Sequence, residues 1–457
     1  MADRFHCMPF LRRRFIEPIH FKWNRSPLLS YWRELEATQY LPEEVLRDHQ
    51  WTRLRELLTY VHDHNAFYRK RFQQNGIEYN SIMNPEDFAR IPVLEKKEIK
   101  ENIELMISDG YCIRDLIKLK TGGSTGKSLE FFISEECSEM RNACARRHDR
   151  WSGWEVGEPF AALWGNPVIP SDLRSRFLSW LLKPGICLDT MNITDDTIMR
   201  FAEECNRVKP TLLFGHAHSI FLLAEYMKRM GIDTIRPRAI ISTSMMLMPH
   251  ERKCIEEVFG FKVTDRYGCE EVSLIASECE RHEGMHLNIE HLFIEFIRED
   301  GRPAGPGEYG NIIVTDLMNR AMPFIRYKVD DMGEPSNRRC SCGRGMPLME
   351  RVVGRTADFL IRQDGSRVAG VSLIENTLTR IPGIDQMQII QKDIDYIIIN
   401  LVDGPGYSSK SQEELIKYME NQFGRQVKVE VCRVSHIPSE RNGKFRFSIC
   451  MVSPASF

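Results

Sequence analysis

Several clusters of residue types in this chain could do chemistry. The first is Thr121–Glu130, which reads TGGSTGKSLE. Backbone N–H groups in so small-residued a loop can approach a phosphate closely, and its hydroxyls and Lys127 add donors and charge. The stretch nearly spells the Walker A pattern G-x-x-x-x-G-K-[ST], with Gly126, Lys127 and Ser128 in place and Thr121 standing where the first glycine belongs. It follows the apolar run IRDLIKLK and precedes LEFFIS, which reads as a strand, whereas a Walker loop opens a helix. A plain Gly-rich turn is the ordinary alternative for one such loop taken alone.

A second cluster is made of thiols and imidazoles. The stretch ECERHEGMH places Cys279, His282 and His286 close together, and CSCGRG supplies Cys340 and Cys342 much further along. Thiolate and imidazole ligands in this number suit tetrahedral Zn²⁺. The competing reading is five unrelated residues. Near the C-terminus, Lys444 follows a glycine in SERNGKFRFSI. Alone, it reads equally as a surface lysine.

The elements that must position these residues show in the apolar pattern. The stretch from about Leu41 to Gly76 has helical spacing. PFAALWG, TLLFG and RAIIST read as buried strands, with IMRFAEECNRV, HSIFLLAEYMKRMG and PHERKCIEEVFG as helices between them. That alternation argues α/β with a largely parallel sheet. From Gly284, HLNIEHLFIEFIRED and GRPAGPGEYGNIIVTDL read as antiparallel strands around a Gly/Pro-rich turn. The last hundred residues read as a hairpin (FLIRQDGSRVAG), a helix (VSLIENTLTRI), two strands, a helix capped by Ser411, and a further strand (QVKVEVCRV). The expected architecture is a large multi-subdomain N-terminal domain with mixed sheets, 1–354, and a small α+β C-terminal domain, 355–457.

The chain has 457 residues, 42% hydrophobic and 28% charged, with a formal net charge of -2. Two or three domains are expected at this length, and no global field draws in nucleic acid. The apolar runs are too short to span a bilayer. The 13 cysteines are odd in number and scattered, and Arg12–Arg14 interrupt the N-terminal apolar stretch, which lacks signal-peptide character. A reduced cytoplasm is the expected compartment. The Phe/Arg mix of MADRFHCMPFLRRRFIEPIHF could touch a membrane or a partner; packing of its aromatics on the domain behind is the expectation.

Further stretches occur in an informative order: DRYGCEEVSLIASEC at Asp265, PFIRYKVDDMG at Pro323, GRTADFLI at Gly354 and SERNGKFRFSI at Ser439. With the Gly-rich loop they resemble the adenylate-forming enzymes, whose phosphate loop has the form [ST]-[SG]-G-[ST]-[TS]-G. More closely they resemble the phenylacetate–CoA ligase-like branch with its capsule-biosynthesis members. AFYRKRFQQNGI and NRAMPFIRYKVDD followed by a CxCGR segment carry that closer likeness. The resemblance covers about Leu46 to Phe447 and implies an acyl-CoA synthetase-like fold. It also implies roles. Thr121, Gly122, Gly123, Ser124, Thr125, Gly126 and Lys127 would hold phosphates. Tyr267 and Gly268 would flank the adenine, Glu271 would hold Mg²⁺, Asp331 would take the ribose hydroxyls, and Arg355 would lie near the ribose. Lys444 would reach the reacting carboxylate and phosphate. Ser244 in ISTSMML would border the nucleotide. Met245 and Met246 there, and His216 and His218 in FGHAHSIF, sit where relatives line the acyl site, although core packing and structural histidine roles compete. The Cys₃His site of part of this branch selects Cys279, Cys340, Cys342 and His286 as ligands of a structural Zn²⁺, with His282 in reserve. Glu270, Asp330 and Ala357 depart from the family pattern.

The implied activity is ATP-dependent activation of a small carboxylic acid to an acyl-adenylate with pyrophosphate release, then transfer to CoA. A carrier-protein thiol or a sugar amine is an alternative acceptor. ATP/AMP, Mg²⁺ and CoA are the expected cofactors and co-substrates; nucleic acid is not an expected partner, and a homodimer is compatible with the chain. Two other readings compete. A P-loop kinase or NTPase requires a helix directly after Lys127. A catalytically inactive zinc-stapled scaffold draws support only from the three departures.

Overall fold

The structure is a computed structural model that describes residues 4–121, 129–165, 172–182, 184–353, 359–437 and 446–452. The runs read as buried strands are strands: Phe160–Trp164, Leu212–His216 and Ala239–Thr243. Together with Gly185–Asp189 and Val263–Cys269 they pair in parallel. Helices Asp195–Val208, Ala217–Met230 and Pro249–Phe259 alternate with these strands. Their apolar stripes, including Ile198, Phe201, Ile220, Leu223, Ile255 and Phe259, pack with Leu213, Ile240 and Val263 of the sheet. Local signals set their ends. Thr194 caps the first helix by accepting from the Thr197 amide at 3.1 Å. Gly231 and Gly260 end the other two in the left-handed conformation, which costs glycine little.

The antiparallel strands do not form a separate layer. One eleven-stranded sheet runs through both halves of the described N-terminal region, because Val263–Cys269 pairs in parallel with Ala239–Thr243 on one side and antiparallel with Ser273–Ser277 on the other. The expected long helix from Leu41 is two, Glu43–His64 and Ala66–Gln74, broken at Asn65, whose side chain caps the second. Leu46, Leu54, Leu57, Leu58 and Val61 of the first pack in the core that covers the antiparallel half.

Residues 384–450 contain a four-stranded sheet in the order Lys428–Arg433, Tyr396–Asp403, Ile384–Asp393, Ser448–Cys450. The hairpin expected from FLIRQDGSRVAG is present, Phe359–Ile361 against Arg367–Ala369. The cap of helix Ser409–Phe423 is Ser408 rather than Ser411. Ser408 Oγ accepts from the Ser411 amide at 3.3 Å, and Ser411 returns the bond to the Ser408 backbone, so the cap lies three residues earlier than expected. This region meets the rest of the chain through Lys100–Asp385 at 2.6 Å, Arg362 Nη2 to the Met191 carbonyl at 2.6 Å, and a backbone bridge between Ile193 and Arg367.

One buried ionic knot ties helix Glu135–Trp151 to the antiparallel strands. Arg147 is fully buried and donates to both carboxylate oxygens of Glu290, to Asn288 Oδ1 at 3.0 Å and to the Leu35 carbonyl at 3.2 Å. Burial alone would raise the Glu290 carboxyl, but the Arg147 charge outweighs it and holds it below its ordinary value. Glu290→Ala would strand a buried guanidinium, and is expected to lower stability by about 3–5 kcal/mol in urea denaturation. A loss below about 1 kcal/mol would show that Arg147 finds other partners.

Candidate active site and metal cluster

The phosphate-loop expectation can be tested at its flanks. Residues 122–128, and with them Gly122, Gly123, Ser124, Thr125, Gly126 and Lys127, lie outside the described residues, as do Arg355, Ala357 and Lys444. On either side stand antiparallel strands, Ile117–Lys120 and Glu130–Ile133. Thr121 closes the base of the loop: its amide donates to the Leu129 carbonyl at 2.9 Å, and its hydroxyl accepts from the Leu129 amide at 2.8 Å. A strand therefore stands where the P-loop reading required a helix.

Three separate stretches meet at one cavity of about 290 Å³. Ser244 leaves strand Ala239–Thr243, Tyr267 and Gly268 lie at the far end of Val263–Cys269, and Asp331 belongs to Tyr327–Pro335. All four were expected at the nucleotide. Ser244 holds φ +64°, a left-handed conformation costly for a side-chain-bearing residue and tolerated where a site demands it. Gly268 is required by close approach, since a Cβ there would strike the Ser273 carbonyl oxygen. Tyr267 donates its hydroxyl to Asp331 Oδ2 at 3.0 Å, so that carboxylate is positioned by the adjacent ring. Met245 and Met246 also line the cavity.

Asp265 lies on the same wall. It is buried and beside Glu278, which push its carboxyl up to about 7 against the hydrogen bond from Ser242 at 2.8 Å. Arg252 bonds Glu278 at 2.9 Å and keeps the two acids from being an uncompensated pair.

Glu271 is 3% exposed and accepts from Tyr327 Oη at 2.8 Å, with Lys96 Nζ at 3.4 Å. Arg141, also buried, donates to the backbone carbonyls of Glu270 at 3.2 Å and Glu271 at 2.6 Å, and to Asp316 at 2.9 Å. Lys96, Arg141 and Tyr327 were not foreseen. Tyr327 stands inside the quoted PFIRYKVDDMG motif, and that was its one available signal. Glu271 is a buried carboxylate of the kind that supplies one oxygen to Mg²⁺, so the residue present fits that ion.

The two histidines of FGHAHSIF part company. His216 is fully buried against Trp164, ring centroids 4.2 Å apart, and burial lowers its pKa to about 4. His218 Nδ1 meets Glu251 Oε1 at 2.5 Å. A second cavity, of about 460 Å³, is lined by Phe160, Leu212, Phe214, Trp154 and Asp149, and Arg266 borders both cavities.

The structure brings Cys279, His286, Cys340 and Cys342 together, with all four ligand atoms within 4.8 Å of one another. Cys279 Sγ and Cys340 Sγ are 3.6 Å apart, and Cys342 Sγ and His286 Nε2 3.4 Å. A Zn²⁺ tetrahedron with its usual bond lengths has S···S edges of about 3.8 Å and S···N edges of about 3.5 Å, so the residues fit the ion. The Arg281 and Arg344 amides donate to Cys279 and Cys342, each at 3.4 Å, as N–H groups do to thiolates. Burial would raise Cys342, but the His286 and Arg344 hydrogen bonds prevail and bring it down to about 6. His282, in a left-handed turn at φ +55°, points Nδ1 at Glu278 at 3.2 Å and is not in the cluster.

A family model described as the CapK C-terminal domain matches residues 360–450. Protein CapK of Staphylococcus aureus is 24% identical over 94% of this chain and 99% of its own length. The phenylacetate-coenzyme A ligase of Thermus thermophilus is 24% identical over 78% of this chain and 79% of its own. Among solved structures, 2-hydroxyisobutyryl-CoA ligase in complex with 2-HIB-AMP and CoA superposes with a TM-score of 0.60 at 19% identity, covering 91% of this chain and 92% of that one. That last likeness is one of fold. Along most of its length the chain is similar to CapK and to phenylacetate-coenzyme A ligases, the likeness its ordered motifs imply.

Proposed function

We propose that this protein is an AMP-forming acid–CoA ligase. A substrate carboxylate oxygen attacks the α-phosphorus of ATP, the bond to the β-phosphate oxygen breaks, and pyrophosphate leaves. The CoA thiolate then attacks the acyl carbon and AMP departs. The observation that carries this reading is the convergence of Ser244, Tyr267, Gly268 and Asp331 on one cavity. There Asp331 takes the ribose hydroxyls in place of the Tyr267 hydroxyl, and Tyr267 flanks the adenine.

The negative charge that gathers on phosphoryl oxygens needs donors already aimed at it. The amides of Gly122–Gly126, the Ser124 and Thr125 hydroxyls, Lys127 and Lys444 supply them. Mg²⁺ on Glu271, when bound, would neutralise phosphate charge. Lys96 and Tyr327 hold that carboxylate in place, and Arg141 holds the backbone that carries it. Phe214 and Arg266 border the chamber we assign to the acid. Zn²⁺ on Cys279, Cys340, Cys342 and His286 is structural, since four protein ligands leave no open position. The chain divides at 354/355, and Arg355 lies at the hinge on which the C-terminal domain turns between the two half-reactions.

Transfer to a carrier-protein thiol or a sugar amine would leave the first half-reaction unchanged.

Acid-dependent ATP–pyrophosphate exchange, measured across aryl, aliphatic, hydroxy and amino acids, tests the proposal. Exchange with one class and AMP as the product are expected. ADP in place of AMP would overturn it in favour of a kinase, and no nucleotide turnover with any acid would favour the scaffold.

A further inference from the structure

The N-terminal helical run is built inside out. It comprises Arg4–Leu11, a π turn over Arg12–Ile16, and Glu17–Trp23. Its inward face carries charge. Arg12 is 4% exposed and donates to the carbonyls of Gly157, Trp180 and Leu181, while Glu17 accepts from Arg146 at 2.6 Å. Its outward face carries Leu11, Phe15, Ile19 and Trp23 at four-residue spacing, with Phe15 51%, Ile19 65% and Trp23 86% exposed. A helix whose only partners are this domain and water buries those residues and exposes the ions. The expected packing of these aromatics is thus corrected: Phe21 joins a core cluster, and Phe10, Phe15 and Trp23 do not.

A second helix repeats the pattern beside it. Leu173–Leu182 holds Leu173, Phe177 and Trp180 exposed along one side. Arg12 joins the two, its guanidinium lying over the Trp180 ring at 5.6 Å from the centroid while it binds the carbonyls at the end of that helix. The same two segments carry exposed cations: Arg14, Lys22 and Arg25 on the first, Arg174 and Arg176 on the second. From residue 8 to 25 and 172 to 182, Asp172 is the one exposed carboxylate among the described residues.

We propose that these two helices form a docking surface for an anionic lipid bilayer. Aromatic and aliphatic side chains at the level of the acyl boundary, with Arg and Lys on the same segments, match a headgroup layer of negative charge. The charge pattern selects this occupant over a second copy of the chain, whose identical cations would face these. The whole-chain net charge of -2 does not oppose it, because attraction to a membrane is set within a screening length of the surface.

The test is co-sedimentation of the full-length protein with vesicles of phosphatidylcholine alone or mixed with phosphatidylglycerol. Binding to the anionic vesicles should exceed that to neutral ones by roughly tenfold and weaken as salt is raised. The triple variant Phe15→Ser, Trp23→Ser, Phe177→Ser should lose it. These side chains are on the surface and line neither cavity, so melting temperature and pyrophosphate exchange should match the parent and exclude misfolding. No enrichment on anionic vesicles, or undiminished binding by the triple variant, would overturn the proposal. So would a parent dimer that the same substitutions dissociate without any vesicle binding, since a second copy would then cover the face.

Discussion

Lys444→Ala lowers acid-dependent ATP–pyrophosphate exchange by roughly 10²–10³-fold, while nucleotide binding and melting temperature stay near the parent values. The reasoning starts from charge. The adenylating transition state gathers negative charge between carboxylate and α-phosphate, and removing one aimed cation costs about 3–4 kcal/mol of its stabilisation. The segment carrying Lys444 lies outside the described residues, but its flanks are tied to one strand. Gln386 Nε2 donates to the Ile437 carbonyl at 3.3 Å, and Gln388 Nε2 to the Arg446 carbonyl at 2.8 Å, so both ends hang from strand Ile384–Asp393. Ile437 and Phe447 are buried beside it. Substitution between two such anchors leaves the core intact, and a loss of exchange then reports chemistry. The second half-reaction supplies the control. Given preformed acyl-adenylate, the variant should make thioester at close to the parent rate, because the proposed turn of the C-terminal domain would carry this lysine out of the site. Equal exchange by variant and parent would remove Lys444 from the mechanism.

Legibility in the sequence followed the range of the interactions involved. The parallel strands and their helices showed because their apolar period and their caps, Thr194, Gly231 and Gly260, are local. Ser411 was mistaken for a cap because capping-box partners are both serines here, and the pattern alone does not say which of them is outside the helix. The single sheet was not legible. Its continuity depends on Val263–Cys269 having a different kind of neighbour on each edge, which is decided by residues distant in sequence. At the site, Tyr267, Gly268 and Asp331 are marked by ordered motifs, and Ser244 by its place in ISTSMML. Lys96 and Arg141 carry no motif and reach the Glu271 segment only through tertiary folding. The resemblance had already selected His286 over His282, and the backbone supplies the physical reason: strand Met285–Leu287 turns one imidazole inward, and a left-handed turn takes the other to Glu278.

Freshly purified protein should contain about one zinc per chain, and stripping it should lower the melting temperature by roughly 10 °C or more. The size follows from what the cluster joins. Cys279 follows strand Ser273–Ser277, His286 lies on Met285–Leu287, and Cys340 and Cys342 come from the segment between Tyr327–Pro335 and Leu348–Val353. Met285–Leu287 is three residues long and its ladder to Leu348–Val353 spans two residue pairs, so few hydrogen bonds hold this part of the sheet without a cross-link. A tetrahedral ion there closes a loop of the chain from residue 279 to 342, and its binding free energy is folding free energy. His286 Nδ1 faces the Met346 carbonyl at 3.4 Å, which fixes the ring with Nε2 toward the sulfurs. The ligand assignment can be separated from general damage. His286→Ala should lose the metal and the stability together, whereas His282→Ala should keep the full zinc content. The sign with pH is also set: the thiols must be deprotonated to bind, so zinc retention falls as pH falls, and the stability it lends is lost in the same direction. Pyrophosphate exchange by any zinc-depleted protein that remains folded should persist, since none of the four ligands lines the nucleotide cavity. Absence of zinc from protein purified without chelator would remove the ion from the structure, and loss of exchange from folded, metal-free protein would move it from a structural to a catalytic role.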